Sequence, residues 1–209
     1  MDRPAASAIE PLAPGACVLR RFASSHDAVL WADVRRVAAV APFRHWQTPG
    51  GTMAVAMTNC GALGWVSDRS GYRYDPRDPD SARAWPTLPD SFAALATSAA
   101  ERAGFAHFEP DACLVNRYES GARLSLHRDA DERDYAHPIV SVSLGLPATF
   151  LFGGLRRTDR SERVPLEHGD VVVWGGPARL RYHGVLPLRD GLDPLLGRQR
   201  VNLTFRRAG

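Results

Sequence analysis

The chain has 209 residues, 44% of them hydrophobic and 23% charged, a length and composition suited to one globular domain and unlike a disordered segment. Its 26 basic residues are all arginine, which excludes a Schiff-base lysine, a P-loop lysine and a lysine general base. The net charge of +3 permits a nucleic-acid partner without arguing for one, and three scattered cysteines make neither a disulfide framework nor a zinc site.

The opening Met1-Asp2-Arg3-Pro4 leads into no signal-peptide run and no segment approaches a membrane span, so a cytoplasmic monomer with no membrane contact is expected. Ser24 and Ser25 are placed to cap a helix over Asp27 to Val40, with Val29, Leu30, Val34, Val37 and Val40 on one stripe, stopped by Pro42. A strand is expected around Met53–Thr58. The stretch from Tyr72 to Pro89, broken by Pro76, Pro79 and Pro86, reads as loop. An alanine-rich helix then begins at Asp90 or Ser91 and closes at Gly104.

Short alternating runs follow at Ala112–Tyr118, Leu124–Asp129, Pro138–Leu144, Thr149–Phe152, Val171–Trp174, Leu180–Gly184 and Val201–Arg206, separated by glycine-rich turns. The expected fold is mainly β with flanking α, closed as a jelly roll. Residues 1–209 then form one domain, in which about 1–110 make a helical and β N-terminal buttress and lid on a core of about 111–209.

Candidate chemistry begins at Leu124-Ser125-Leu126-His127-Arg128-Asp129. In a strand, Ser125, His127 and Asp129 share one face, so imidazole and carboxylate can reach one metal ion. A third ligand from a later strand would complete the two-histidine, one-carboxylate arrangement of non-haem Fe(II), and His183, 54 residues after Asp129, is the candidate. The ordinary alternative for His127 alone is a hydrogen-bonded surface histidine. A second pair, His168-Gly169-Asp170, reads as a structural turn, because its glycine suits a bend and His183 follows only 13 residues later.

In Arg200-Val201-Asn202-Leu203-Thr204-Phe205-Arg206 the odd positions are apolar and the even positions polar. An edge strand with its polar face in water is one reading. If that face instead lines a barrel, Arg200 and Arg206 require anionic partners, which a small dicarboxylate near the metal would supply.

These residues resemble the AlkB family of Fe(II)- and 2-oxoglutarate-dependent dioxygenases. The likeness also covers Asp111-Ala112-Cys113-Leu114-Val115-Asn116-Arg117-Tyr118, Ser141-Val142-Ser143-Leu144-Gly145-Leu146-Pro147, Phe152-Gly153-Gly154-Leu155 and His168 to Gly176, from about Cys17 to Arg207. The resemblance implies a double-stranded β-helix with His127, Asp129 and His183 as iron ligands. It implies that Asn116, Tyr118, Arg200, Asn202 and Arg206 hold 2-oxoglutarate, with Arg200 on the distal carboxylate and Arg206 near the metal-bound end. The reaction so implied consumes O2 and 2-oxoglutarate, releases CO2 and succinate, and hydroxylates an N-methyl group of 1-methyladenine or 3-methylcytosine, which departs as formaldehyde. Single-stranded DNA is the implied partner. RNA, including tRNA, is the alternative target, and a catalytically silent nucleic-acid-binding module is the alternative of another class.

The resemblance further places Trp65, Tyr72, Arg73, Tyr74, Asp131 and Arg157 at the substrate, and Met57 as core beside the base pocket. A carboxylate at Asp131 suits a cationic lesion, and aromatic rings suit a base taken out of its stack. From the residues alone, Trp65 and Tyr72 read equally as core under a loop, and Arg157 as a solvated turn. Three departures from the family pattern touch expected phosphate contacts: Thr52 directly follows Gly50-Gly51, Ala130 stands between Asp129 and Asp131, and Arg123 replaces a usual lysine.

Overall fold

The computed structural model describes residues 8–48, 51–68 and 71–209; Met1 to Pro4, Pro49, and Gly50 of the Gly50-Gly51 pair lie outside them. In chain order the elements are β1 (Ile9–Ala13), β2 (Ala16–Leu19), α1 (Asp27–Val40), β3 (Gln47–Thr48), β4 (Gly51–Thr52), β5 (Ala56–Gly61), β6 (Gly64–Asp68), β7 (Gly71–Asp75) and α2 (Asp90–Arg102). They continue with β8 (Ala112–Tyr118), β9 (Leu124–His127), β10 (Ile139–Gly145), β11 (Ala148–Phe152), β12 (Glu162–Leu166), β13 (Val171–Trp174), β14 (His183–Val185) and β15 (Arg200–Arg206).

The strands build a seven-stranded sheet in the order β1-β2-β13-β10-β15-β8-β5 and a four-stranded sheet in the order β12-β11-β14-β9. Every pairing is antiparallel. Period-two alternation sends the two faces of the large sheet into different cores. Val201, Leu203 and Phe205 point outward and pack with Val115, Val140, Val171 and the two helices. The opposite face meets the small sheet in a second cluster that includes Leu114, Tyr118, Val172, Trp174, Phe150 and Phe152. This two-layer β-sandwich with flanking helices is the jelly-roll architecture expected from the strand spacing.

Both helices fall where the pattern placed them, but α1 is anchored differently. Ser24 to His26 form a 3-10 turn, and no side chain caps the helix start. Its buried stripe is Leu30, Asp33, Val34 and Val37, while Val29 and Val40 face outward. The α2 end is the predicted one: Gly104 takes φ +90°, its N–H reaches the Glu101 carbonyl at 2.9 Å, and the Phe105 N–H reaches Ala100 at 2.8 Å.

Three expectations need correction. The Tyr72–Pro89 stretch is not loop throughout, because its first residues belong to β7, paired with β6 from Gly64↔Asp75 to Asp68↔Gly71. The strand from Leu124 stops at His127, so Asp129 does not owe its position to strand alternation. The expected Leu180–Gly184 strand is shifted to His183–Val185, and Glu162–Leu166 adds one that the pattern did not mark.

Candidate active site

The last strand decides between the two readings of its polar face. β15 lies between β10 and β8 in the middle of the large sheet, and all seven of its residues are buried. Arg200, Asn202, Thr204 and Arg206 therefore face the interior between the sheets, not water. Register sets Asn202 opposite Asn116 on one side and Ser143 on the other, and Arg200 opposite Tyr118. The Asn202 amide donates to Ser141 Oγ at 2.8 Å and to the Val142 carbonyl at 3.0 Å, while its oxygen accepts from Thr204 Oγ1 at 2.8 Å.

At one end of this lining stands Arg200, about 1% exposed, its guanidinium carbon 5.0 Å from the centre of the Tyr118 ring. Nη2 donates to Ser143 Oγ at 3.0 Å, yet Nε and Nη1 have no partner among the described residues, nor does the nearby Asn116 Oδ1. Burial pushes the Arg200 pKa down, with Tyr118 opposing it. A buried guanidinium with two unpartnered nitrogens is able to receive a carboxylate.

At the other end His127, Asp129 and His183 converge, with one ligand atom from each lying within 4.8 Å of the others. His127 and His183 are register partners across β9 and β14. Asp129 follows β9 in the loop, and its carboxylate comes 3.7 Å from His127 Nε2 and 3.8 Å from His183 Nε2. Each imidazole turns Nδ1 to a backbone carbonyl, His127 to Ser125 at 2.8 Å and His183 to Arg181 at 3.0 Å. Only a protonated Nδ1 can donate there, which leaves the Nε2 lone pairs directed at the shared centre, the arrangement a metal ligand requires.

Electrostatics prepare the same groups. Burial, then the neighbouring His127, push His183 down to about 4, against the pull of Asp129, so at neutral pH the imidazole is uncharged and free to ligate. Burial opposes ionisation of Asp129, but Arg206, His183 and His127 outweigh it and hold the carboxyl well below its usual range. Arg206 donates to Asp129 Oδ2 through Nε at 3.0 Å and also through Nη2, and pairs with Glu132 at 3.2 Å. Burial would lower its pKa, but Asp129, Tyr74 and Glu132 raise it further.

The substrate-side residues are divided. Trp65 and Tyr72 stack at 5.5 Å with an interplanar angle of 16°, on the β6–β7 hairpin. Asn59 fixes that hairpin on β5 by gripping the backbone of Trp65 at both ends of its amide, at 2.9 and 3.0 Å. The Trp65 indole N–H donates to Asp131 at 2.8 Å, and the Tyr74 hydroxyl to Glu132 at 2.9 Å, tying the hairpin to the loop after Asp129. Burial, with Glu132 adding and Arg206 opposing, raises the Tyr74 phenol well above its usual pKa. Asp131 lies past the strand end, not on its face. Arg73 is held by Asp68 at 2.9 Å and Asp75 at 3.4 Å within its own hairpin. Arg157 sits exposed on the turn after β11, whose Phe152 is the register partner of His183. Met57 is core, as expected, whereas Arg123 is exposed and Ala130 half-buried.

His168 and Asp170 are structural. Buried Asp170 binds Arg20 at 2.7 Å and the N–H groups of Arg21 and Glu167, while His168 accepts from the Gly145 N–H at 3.0 Å. Sequence reasoning missed Glu132 and Arg179, a buried pair 3.0 Å apart. A single charge outside a strand carries no periodic signal of its burial.

A sandwich with an open triad at one end of a polar, arginine-bearing interior defines an iron- and 2-oxoglutarate-type oxygenase. Residues 15–206 match the family model of the 2OG-Fe(II) oxygenase superfamily. The chain is 61% identical over 200 residues to the alpha-ketoglutarate-dependent dioxygenase AlkB of Salmonella typhimurium, covering 95% of this chain and 93% of that protein. It is 59% identical over 201 residues to the protein of the same name from Escherichia coli, covering 96% and 93%. The solved structure of OsALKBH1 superposes with a TM-score of 0.85 at 27% identity, covering 96% of this chain and all of that one. The chain belongs to the 2OG-Fe(II) oxygenase superfamily, in its AlkB family of alpha-ketoglutarate-dependent dioxygenases. It is an enzyme that uses Fe(II), 2-oxoglutarate and O2.

Proposed function

We propose that this chain removes N-methyl groups from 1-methyladenine and 3-methylcytosine in single-stranded DNA, as a monomer, reversing alkylation damage directly. In this reading His127, Asp129 and His183 hold Fe(II). The buried Arg200 takes the distal carboxylate of 2-oxoglutarate, with Tyr118 behind it and Asn116 and Asn202 along its length. Arg206 keeps Asp129 ionised and stands at the metal-bound end. Fe(II), O2 and 2-oxoglutarate together supply the oxidation: one oxygen atom ends in succinate, the other in the methyl C–H bond, and CO2 is released. The resulting N-hydroxymethyl base loses formaldehyde, returning the electron pair to the ring nitrogen and restoring the base.

One observation carries the choice of a nucleobase. The stacked Trp65–Tyr72 pair is joined through the Trp65 indole to Asp131, two residues beyond Asp129. Flat aromatic surface and a carboxylate thus stand together beside the metal loop. A methylated cytosine or adenine ring, flat and cationic, matches both. Residues from about 1 to 110, which hold that hairpin, act as buttress and lid over the core of about 111–209. The test is succinate formation across a panel of methylated and unmethylated DNA and RNA oligonucleotides. The reading predicts production stimulated by 3-methylcytosine DNA above the RNA counterparts; equal, unstimulated production on every oligonucleotide contradicts it.

A further inference from the structure

The loop between β9 and β10, residues 128–138, carries Asp129, Asp131 and Glu132, yet it has little backbone structure of its own. Outside the strands, its backbone–backbone hydrogen bond among the described residues is Arg133 N–H to the Ala208 carbonyl, at 3.3 Å. A metal ligand on such a segment must be held by something else, because productive geometry tolerates little looseness.

Arg179 supplies the missing support. Its side chain is 3% exposed. Nη1 donates to the Asp129 carbonyl at 3.0 Å, at the start of the loop. Nη2 reaches Glu132 Oε2 at 3.0 Å, in the middle, and Nε the His137 carbonyl at 3.1 Å, at the end. The guanidinium carbon also lies 5.4 Å from the centre of the Tyr135 ring. Only arginine presents donors in a rigid planar fork that can reach two carbonyls and an ionic partner in different directions. Arg179 lies four residues before His183, so one short segment delivers a candidate ligand and fixes the loop of another.

We propose that Arg179 is a positioning residue that clamps the 128–138 loop at three points, setting Asp129 for the metal and Glu132 for the hairpin. It touches neither metal nor substrate. Its ion pair with Glu132, which also accepts from the Tyr74 hydroxyl and pairs with Arg206, makes the metal loop and the β6–β7 hairpin one mechanical unit. This rests on the metal-site assignment given above, though not on the choice of nucleobase.

The test is Co(II) titration, followed in the visible d–d bands, on the wild type, Arg179→Lys and Arg179→Met. Folded variants are expected to bind Co(II) about 10- to 100-fold more weakly, the usual effect of removing support behind a ligand, with altered band positions. Lysine restores the charge opposite Glu132 but not the two carbonyl bonds, so it improves folding without restoring metal affinity. Folded variants that bind Co(II) as the wild type does, whatever their stability, overturn the proposal. If neither variant folds, backbone order parameters of residues 129–137 in the metal-free wild type decide: about 0.85 supports the clamp, and below 0.6 overturns it. Co(II) binding without activity on any oligonucleotide would refute the nucleobase reading and leave the clamp standing.

Discussion

His127 and His183 face one another across the β9–β14 pair, ring centroids 4.4 Å apart, each with Nδ1 committed to a backbone carbonyl. The strands set the separation and the carbonyls set the tautomer, so the fold itself aims the two Nε2 atoms of the candidate triad at one point. The proposed role of this triad as the metal ligands makes each member indispensable. His127→Ala, Asp129→Ala and His183→Ala should each weaken Co(II) binding by more than the ~10–100-fold expected for changes behind the ligands, as calorimetry can measure.

Arg200 offers a separate test, because it is buried with two nitrogens, Nε and Nη1, unpartnered among the described residues. Arg200→Met should raise the KM for 2-oxoglutarate about 10- to 100-fold, equivalent to the ~1.5–3 kcal/mol of a charged hydrogen-bonded contact. The cosubstrate-free protein should keep its stability, since the substitution removes an incompletely paired buried charge. Saturating 2-oxoglutarate at about 100 times its Kd should stabilise the wild type by ~2.7 kcal/mol and the variant far less. Thermal shift with and without 2-oxoglutarate reads both effects.

The second His-x-Asp pair should behave as a strut. Asp170→Ala removes the partner of Arg20 and of two backbone N–H groups. A loss of about 3 kcal/mol in urea unfolding is expected, with Co(II) affinity of the folded protein unchanged.

On the hairpin, Tyr72→Ala should weaken binding of a methylated oligonucleotide by ~1–3 kcal/mol, the range of one base–aromatic contact. Binding of 2-oxoglutarate should not change, because Tyr72 is half exposed at 52% on the β6–β7 sheet, which is separate from the sheet that holds β15. Fluorescence anisotropy with labelled DNA measures the first, and calorimetry the second.

What could be read in advance follows from periodicity. β13 runs wholly apolar and β15 alternates cleanly, so both strands and the polar face of β15 are legible in the residues themselves, with β15 starting one residue earlier, at Arg200. The positions that the structure brings together are legible where strands carry them: His127, His183, Arg200 and Arg206. Legibility fades where loops carry them. Asp129 was placed by the wrong device, since β9 ends before it. Glu132 stands in a charged loop and Arg179 between Ala178 and Leu180 after a 3-10 turn, and neither position marks its charge as buried until the partner is known. The hairpin strands β6 and β7 are short, polar and glycine-bounded, and only pairing between them and the grip of Asn59 make them strands.

The most direct test of the central claim incubates the enzyme with Fe(II), ascorbate, 2-oxoglutarate and an oligonucleotide bearing 3-methylcytosine, and follows formaldehyde and the restored cytosine. Wild-type enzyme should give formaldehyde and cytosine in equal amounts, and His127→Ala and Asp129→Ala neither. Restored cytosine from either variant, or none from an iron-loaded wild type, would contradict the claim.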